Sequence, residues 1–146
     1  MRQLTVLLVE DNPRDVRLTQ RAFQQAGLPH DLRVVRDGDE ALAYLHREGA
    51  YKDTATAPRP DVILLDLNLP RMGGHELLRE VKQDSRFKQV PIIVLTTSER
   101  PDDVRLAYDA GANAYLLKPV EFNRFTEVIG QLGKFWLEIV ELPPEG

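Results

Sequence analysis

The stretch 61–70, Asp-Val-Ile-Leu-Leu-Asp-Leu-Asn-Leu-Pro, restricts the fold more than any other part of the chain. Four consecutive apolar residues, Val62, Ile63, Leu64 and Leu65, run directly into a carboxylate. The run is too short for a helix and lacks the alternation of a strand with one wet face. It reads as a central parallel strand buried on both sides. Asp66 then stands at the carboxyl end of that strand, where open α/β sheets place their ligands. Pro70 stops the strand, and Met72, Gly73 and Gly74 turn the chain away. Taken alone, Asp66 could simply cap the next helix; the remainder of the chain argues for more.

Residues 4–9, rich in Leu and Val, form a second buried strand that ends at Glu10 and Asp11. Asn12 as cap and Pro13 as first helical residue open a helix through Val16, Leu18, Ala22 and Phe23 that stops at Gly27. Residues 31–36 read as a shorter strand near the sheet edge. Residues 38–48 read as a helix with Ala41, Leu42 and Leu45 inward. The stretch 50–60 has no period and ends among prolines, which predicts an exposed loop. A helix over 74–84 points Leu77, Leu78 and Val81 inward, and 91–96 is a third doubly buried strand ending in Thr96, Thr97 and Ser98. Pro101, Asp102 and Asp103 start a helix that carries Val104, Leu106 and Ala107 to Gly111. A fifth strand over 113–117 ends at Lys118 and Pro119. From Glu121 to about Val140 the spacing predicts one helix with Phe122, Phe125, Ile129, Leu132, Trp136, Ile139 and Val140 on one face. Roughly 20 residues at about 1.5 Å each make it about 30 Å long, more than one face of a small sheet requires.

Strand and helix therefore alternate five times with short connections. That predicts an α/β fold: a doubly wound, flavodoxin-like, five-stranded parallel sheet in the order 2-1-3-4-5, with an extended C-terminal helix. At 146 residues the chain reads as one domain, 1–146. Its core spans about 4–132, followed by a helical extension and tail over about 133–146. The net charge of −4 gives no basic footprint for nucleic acid. The absence of cysteine excludes disulfides, thiolate metal sites and thiol catalysis. No stretch resembles a signal peptide or reaches the roughly 18 apolar residues of a membrane span, so a cytoplasmic protein is expected.

Parallel strands finish at a common edge. Four of the five predicted strand ends carry polar chemistry there: Glu10 and Asp11, Asp66, Thr96, and Lys118. Three carboxylates against one ammonium leave excess negative charge, which a divalent cation would relieve. Oxygen donors without His or Cys favour a hard ion, Mg²⁺ first. His30, His46 and His75 are expected in turns and helices away from this edge, as surface residues.

At these residues the sequence resembles the response-regulator receiver domain, from Leu4 to about Leu132. The resemblance rests on Val-Glu-Asp-Asn at 9–12, Leu-Asp-Leu-Asn-Leu-Pro-Arg-Met-Gly-Gly at 65–74, Leu-Thr at 95–96 and Leu-Lys-Pro at 117–119. It departs mildly at Gly73, where the family often has Asp. The resemblance implies that Asp66 is the phosphoacceptor, and that Glu10 and Asp11 hold Mg²⁺ together with Asp66 and the backbone carbonyl of Asn68. It implies that Lys118 binds a phosphoryl oxygen, with Pro119 after a cis bond. Thr96, rather than its neighbour Thr97, is the switch hydroxyl, and Tyr115 is the aromatic that turns with it. Such a protein is not a turnover enzyme, although it promotes its own phosphotransfer and dephosphorylation.

Two other classes fit less well. Haloacid-type phosphatases also form an aspartyl-phosphate but use a second Asp two residues on, where this chain has Asn68. A flavodoxin-like flavin binder would need a hydroxyl- and Gly-rich phosphate loop after the first strand, where Glu10 and Asp11 would repel phosphate. The resemblance to receiver domains implies a sensor histidine kinase as partner, docking on Pro13, Arg14, Arg17, Leu18 and the Pro119–Val120 loop. With little chain after Val140, a single-domain regulator without an output domain is expected. The insert 50–60 and the ending around Phe135, Trp136, Leu137, Leu142 and Pro143 resemble the phytochrome-associated branch of receivers. Phe135, Trp136, Ile139, Val140 and Leu142 would together expose a large apolar patch, which predicts a two-fold homodimer through the C-terminal helix.

Overall fold

The sheet is built from strands that alternate their side chains between two apolar faces. The computed structural model describes residues 3–53 and 55–144. Met1 and Arg2 at the start, Thr54 of the insert, and Glu145 and Gly146 of the tail lie outside the described residues. Strands β1 (Leu4–Val9), β2 (His30–Val35), β3 (Val62–Leu65), β4 (Ile92–Thr96) and β5 (Ala114–Leu117) pair in parallel in the order β2-β1-β3-β4-β5. Helices α1 (Pro13–Ala26), α2 (Gly38–His46), α3 (Gly74–Gln83), α4 (Pro101–Asp109) and α5 (Phe122–Lys134) cover the two faces. Leu4, Val6 and Leu8 of β1 pack with α1 and α5, whereas Leu7 and Val9 pack with α2, α3 and α4. This two-sided burial is why β1, β3 and β4 read as continuous apolar runs.

The chain turns outward from β1 in opposite directions, to β2 on one side and β3 on the other. That reversal opens a crevice at the carboxyl ends of β1 and β3. Register then fixes what faces it. Val9 pairs with Leu65 and Thr96 with Leu117, so Glu10, Asp66, Thr96 and Lys118 emerge along one rim. The local signals behave as expected. The Asn12 side chain accepts hydrogen bonds from the backbone N–H groups of Arg14 and Asp15 at 2.9 and 3.4 Å, and Gly27 closes α1 at φ 69°.

Four expectations need correction. The insert is not simply exposed. A short 3₁₀ turn spans Gly49–Tyr51, Ala57 and Pro60 are buried, and the Tyr44 hydroxyl donates to the Pro58 carbonyl at 2.7 Å. Side chains from outside the insert, Tyr44 together with Arg33 and Arg47 on the Thr56 and Ala57 carbonyls, satisfy its backbone, which periodicity cannot reveal. In α4 only Ala107 is buried, and Leu106 is 48% exposed, because this helix touches the sheet along a narrow line. The peptide bonds among the described residues are all trans, including the one before Pro119. A preference of about 0.5–1 kcal/mol for trans holds where no contact opposes it.

The fourth correction concerns the last helix, which does not run unbroken to Val140. It ends at Lys134, and Phe135–Ile139 winds into a wider π turn closed by the Val140 N–H on the Phe135 carbonyl at 2.9 Å. The extra residue per turn breaks the 3.6-residue stripe. Trp136, Leu137 and Leu142 fold against the chain's own α1–α5 core, while Phe135 and Ile139 remain 47% and 71% exposed.

Candidate functional site

The rim is assembled by strand ends and by one unusually close turn. After β3 the backbone N–H of Asp66 bonds to the Val9 carbonyl at 3.1 Å, which ties the residue to β1. The following turn folds back so tightly that a Cβ on Gly74 would lie 2.5 Å from the Leu67 Cα and 2.8 Å from the Asp66 carbonyl oxygen. Only glycine fits this position without displacing Asp66. Arg71 takes a left-handed conformation (φ 60°) and pairs with Asp37, the cap of α2, at 2.6 Å.

Asp66 and Glu10 are both buried, and Asp11 is exposed beside them. One carboxylate oxygen from each of these three lies within 4.8 Å of the other two. The Lys118 ammonium enters from β5 and donates to Glu10 at 2.5 Å, Asp15 at 2.9 Å and Asp66 at 3.3 Å. Asp66 also accepts the Asn68 backbone N–H at 3.2 Å, and Asn68 itself is exposed. Burial would lower the affinity of Lys118 for its proton. The hydrogen bond Lys118 donates to Glu10 and the charge of Asp66 outweigh burial and raise it above the ordinary lysine value. Glu10 is pushed up to about 7, by burial first and then by Asp66, and the ammonium only partly counters this. Lys118 is therefore a fixed cation, and Glu10 is the acid that gives way.

Thr96 is fully buried at the end of β4, whereas Thr97 is exposed. The Thr96 hydroxyl accepts a long bond from the Ser98 N–H at 3.5 Å, and its carbonyl accepts the Lys118 N–H at 2.8 Å. Half-buried Tyr115 donates its hydroxyl to the Ser98 carbonyl at 2.8 Å. All seven residues singled out in the sequence thus lie on this rim or directly behind it.

Two residues were missed. Asp15 joins the cluster through Lys118, but an acid in the first turn of a helix is so ordinary that its spacing from Asn12 carries no signal. His75 was placed on the surface away from the rim, and this is corrected. It sits in the first turn of α3 with both ring nitrogens buried and without a hydrogen bond among the described residues. Its Nε2 lies 3.6 Å from Asp103 of α4. His30 begins β2, and His46 is half-buried against Asp84 at 3.2 Å, so neither is a free surface residue.

Four carboxylates around one ammonium form an oxygen-only donor set, and Glu10, Asp11 and Asp66 fit a hard divalent cation by spacing and charge. The aperture above Asp66 admits a small anionic group only if that negative charge is offset.

Comparison with known proteins gives a consistent picture. The family model for the response regulator receiver domain matches residues 6–130. The response regulator Rcp1 of Synechocystis is 42% identical over 138 residues, covering 94% of this chain and 92% of that one. The crystal structure of the phosphorylated cyanobacterial phytochrome response regulator RcpA superposes with a TM-score of 0.90 at 43% identity, over 98% of this chain and 100% of that one. The Mn²⁺-bound form of Rcp1 superposes with a TM-score of 0.87 at 41% identity, over 97% and 99% of the two chains.

Proposed function

This chain belongs to the response regulator receiver domain family of two-component signalling, and on that basis we propose that Asp66 accepts a phosphoryl group from a sensor histidine kinase. The observation that carries the reading is the Lys118 ammonium held 3.3 Å from a buried Asp66 inside an acidic cluster. An Asp66 oxygen attacks the phosphorus in line. The new O–P bond forms as the P–N bond to the donor's imidazole breaks, and that electron pair stays on the imidazole. Lys118 shifts from its carboxylate partners to a phosphoryl oxygen, so a cation is in place where charge develops. Glu10, Asp11, Asp66 and the backbone carbonyl of Asn68 would hold Mg²⁺. When bound, the ion supplies the positive charge that a carboxylate attacking a phosphoryl group needs. The manganese form of the relative Rcp1 supports a divalent ion in this position.

The product presents new acceptor oxygens. The Thr96 hydroxyl moves to one of them, and Tyr115 takes the space it leaves, exchanging its bond to Ser98 for a new position. The face of α4, β5 and α5 is then biased between two arrangements. Water near Asn68 and Ser98 later hydrolyses the acyl phosphate, so the domain promotes both its own loading and its own reset. The relative named as a phytochrome response regulator supports a phytochrome-type kinase as the donor. A donor kinase of that kind supports a cytoplasmic location for this chain. The kinase docks on α1 around Pro13, Arg14, Arg17 and Leu18 and on the loop at Pro119 and Val120, whose Val120 side chain is fully exposed. Phe135 and Ile139, left open by the π turn, support a two-fold homodimer through the C-terminal segment.

The deciding experiment is incubation with acetyl phosphate and Mg²⁺ followed by intact-mass measurement. The native chain gains one phosphoryl group and Asp66→Asn gains none. Equal labelling of both would sink the assignment.

A further inference from the structure

The amino-terminal edge of the sheet, opposite the Asp66 rim, carries a cleft of about 630 Å³ that the phosphotransfer reading does not use. Three arginines from separate segments line it. Arg47 follows α2, Arg59 lies just before β3, and Arg86 lies in the connection from α3 to β4. This is a local concentration of positive charge in a chain whose net charge is −4. Phe87 organises two of them. The Arg59 and Arg86 guanidinium groups each lie 5.3 Å from the centre of its ring, which is almost wholly buried.

Of the acids beside the cleft, Asp84 is committed and Glu48 is turned largely to solvent. Asp84 accepts from Arg86 at 2.9 Å and 3.1 Å and contacts His46 at 3.2 Å, and Glu48 lies 3.9 Å from His46. Arg47 spends one donor, its Nε, on the Ala57 carbonyl at 3.2 Å. Among the described residues its terminal nitrogens, the whole Arg59 guanidinium, the Ser85 hydroxyl and the Gln89 amide have no acceptor. The cleft thus offers many donors and few acceptors, on a floor of Leu45, Ala57, Pro60 and Phe87 with Pro144 at one side.

We infer that this cleft binds a nucleoside phosphate. The free guanidinium groups of Arg47 and Arg59 match a phosphate, and each is partly fixed before the ligand arrives, Arg59 by stacking on Phe87 and Arg47 by its bond to the Ala57 carbonyl. The space is far larger than inorganic phosphate needs and lies within the range of small-molecule sites. The apolar floor suits a ring, and Ser85 and Gln89 supply donors for its polar edge. The site does not depend on the phosphorylation of Asp66.

The test is an amide-resolved NMR titration of the full chain, without divalent ions, using AMP, adenosine and inorganic phosphate in turn. AMP is expected to shift the resonances of Arg59, Phe87 and Gln89 in a saturable way. Adenosine and phosphate each bind at least about tenfold more weakly. The double variant Arg47→Gln with Arg59→Gln should weaken AMP by about tenfold or more, the loss of charge-assisted bonds. Its acetyl phosphate labelling at Asp66 should be unchanged, which certifies that it is folded. No response to AMP at about 10 mM, equal binding of adenosine, shifts confined to the Asp66 rim, or undiminished binding by a folded double variant would each overturn the assignment.

Discussion

Glu10 gives the most quantitative test of the rim, because it is the carboxyl that absorbs the cluster's excess charge. Its ordinary value of 4.5 rises to about 7 in the folded chain. Between those two values the unfolded chain has released the proton and the folded chain still holds it. The folded state binds more protons there, so stability must fall as pH rises from 4.5 towards 7 and level off above it. A rise from 4.5 to about 7 corresponds to about 3 kcal/mol if fully expressed. Water reaches the rim beside exposed Asp11, and screening reduces the effect to about 1–2 kcal/mol. Glu10→Gln removes the titrating group while keeping its shape. In EDTA, urea denaturation of the native chain should show this decline between pH 5 and pH 8, and the variant should lack it. The two should be close at pH 5, with the variant more stable by about 1–2 kcal/mol at pH 8. Other titrating groups are common to both proteins and cancel in the difference. Adding excess Mg²⁺ should stabilise the native chain most at pH 8, where Glu10 is ionised, and stabilise the variant less. Identical pH profiles with and without Glu10 would refute the claim that burial and Asp66 overcome Lys118 at this carboxyl.

Three further outcomes follow from particular contacts. Gly74→Ala pushes a methyl into the backbone of Asp66 and Leu67, and should cost about 1–3 kcal/mol by urea denaturation. It should also slow acetyl phosphate labelling, whereas Gly73→Ala, which meets nothing within 4 Å, should change neither. Replacing exposed Arg17 together with half-buried Leu18 on α1 should slow transfer from a kinase but leave labelling by acetyl phosphate intact, and equal loss of both would reject α1 as the docking surface. Sedimentation of the full chain at micromolar concentration should show a dimer that Ile139→Lys converts to monomer, and a monomeric native chain would dispose of the C-terminal interface.

The parts legible in the sequence are those governed by strong local rules. Continuous apolar runs at β1, β3 and β4 marked doubly buried strands, and Asn12, Pro13 and Gly27 marked the ends of α1. Once the strands are parallel, topology alone brings Glu10, Asp66, Thr96 and Lys118 to one rim. What sequence could not show depends on contacts made only after folding. Asp15 enters the cluster because Lys118 reaches 103 positions back along the chain to meet it. The ring nitrogens of His75 are buried because α4 closes over the first turn of α3, and nothing beside it in sequence marks that closure. The π turn after Lys134 follows from Trp136 and Leu137 seeking the core, a tertiary preference that overrides the helical period.

The loop after β4 joins these missed contacts to the switch residues, and Ser98 is its junction. The capping position of α4 is Arg100, whose side chain makes no capping bond. The Ser98 hydroxyl takes that role, accepting the Arg100 N–H at 3.3 Å and donating to Asp103 at 2.5 Å. That bond, ahead of the contact from His75, holds the Asp103 carboxyl below its ordinary range. The Ser98 backbone meanwhile binds Tyr115 through its carbonyl and Thr96 through its N–H. The side chain thus anchors α4, while the main chain anchors the two residues expected to switch. Ser98→Ala separates these functions, since it deletes the hydroxyl bonds and keeps the backbone ones. Each lost bond is worth about 0.5–1.5 kcal/mol, so amide exchange at Arg100, Asp102 and Asp103 should accelerate by up to about tenfold per bond. Exchange in β5 should remain as slow as in the native chain. A uniform acceleration through α4 and β5 would mean that the hydroxyl supports the whole face, and that α4 and Tyr115 do not respond separately to Thr96.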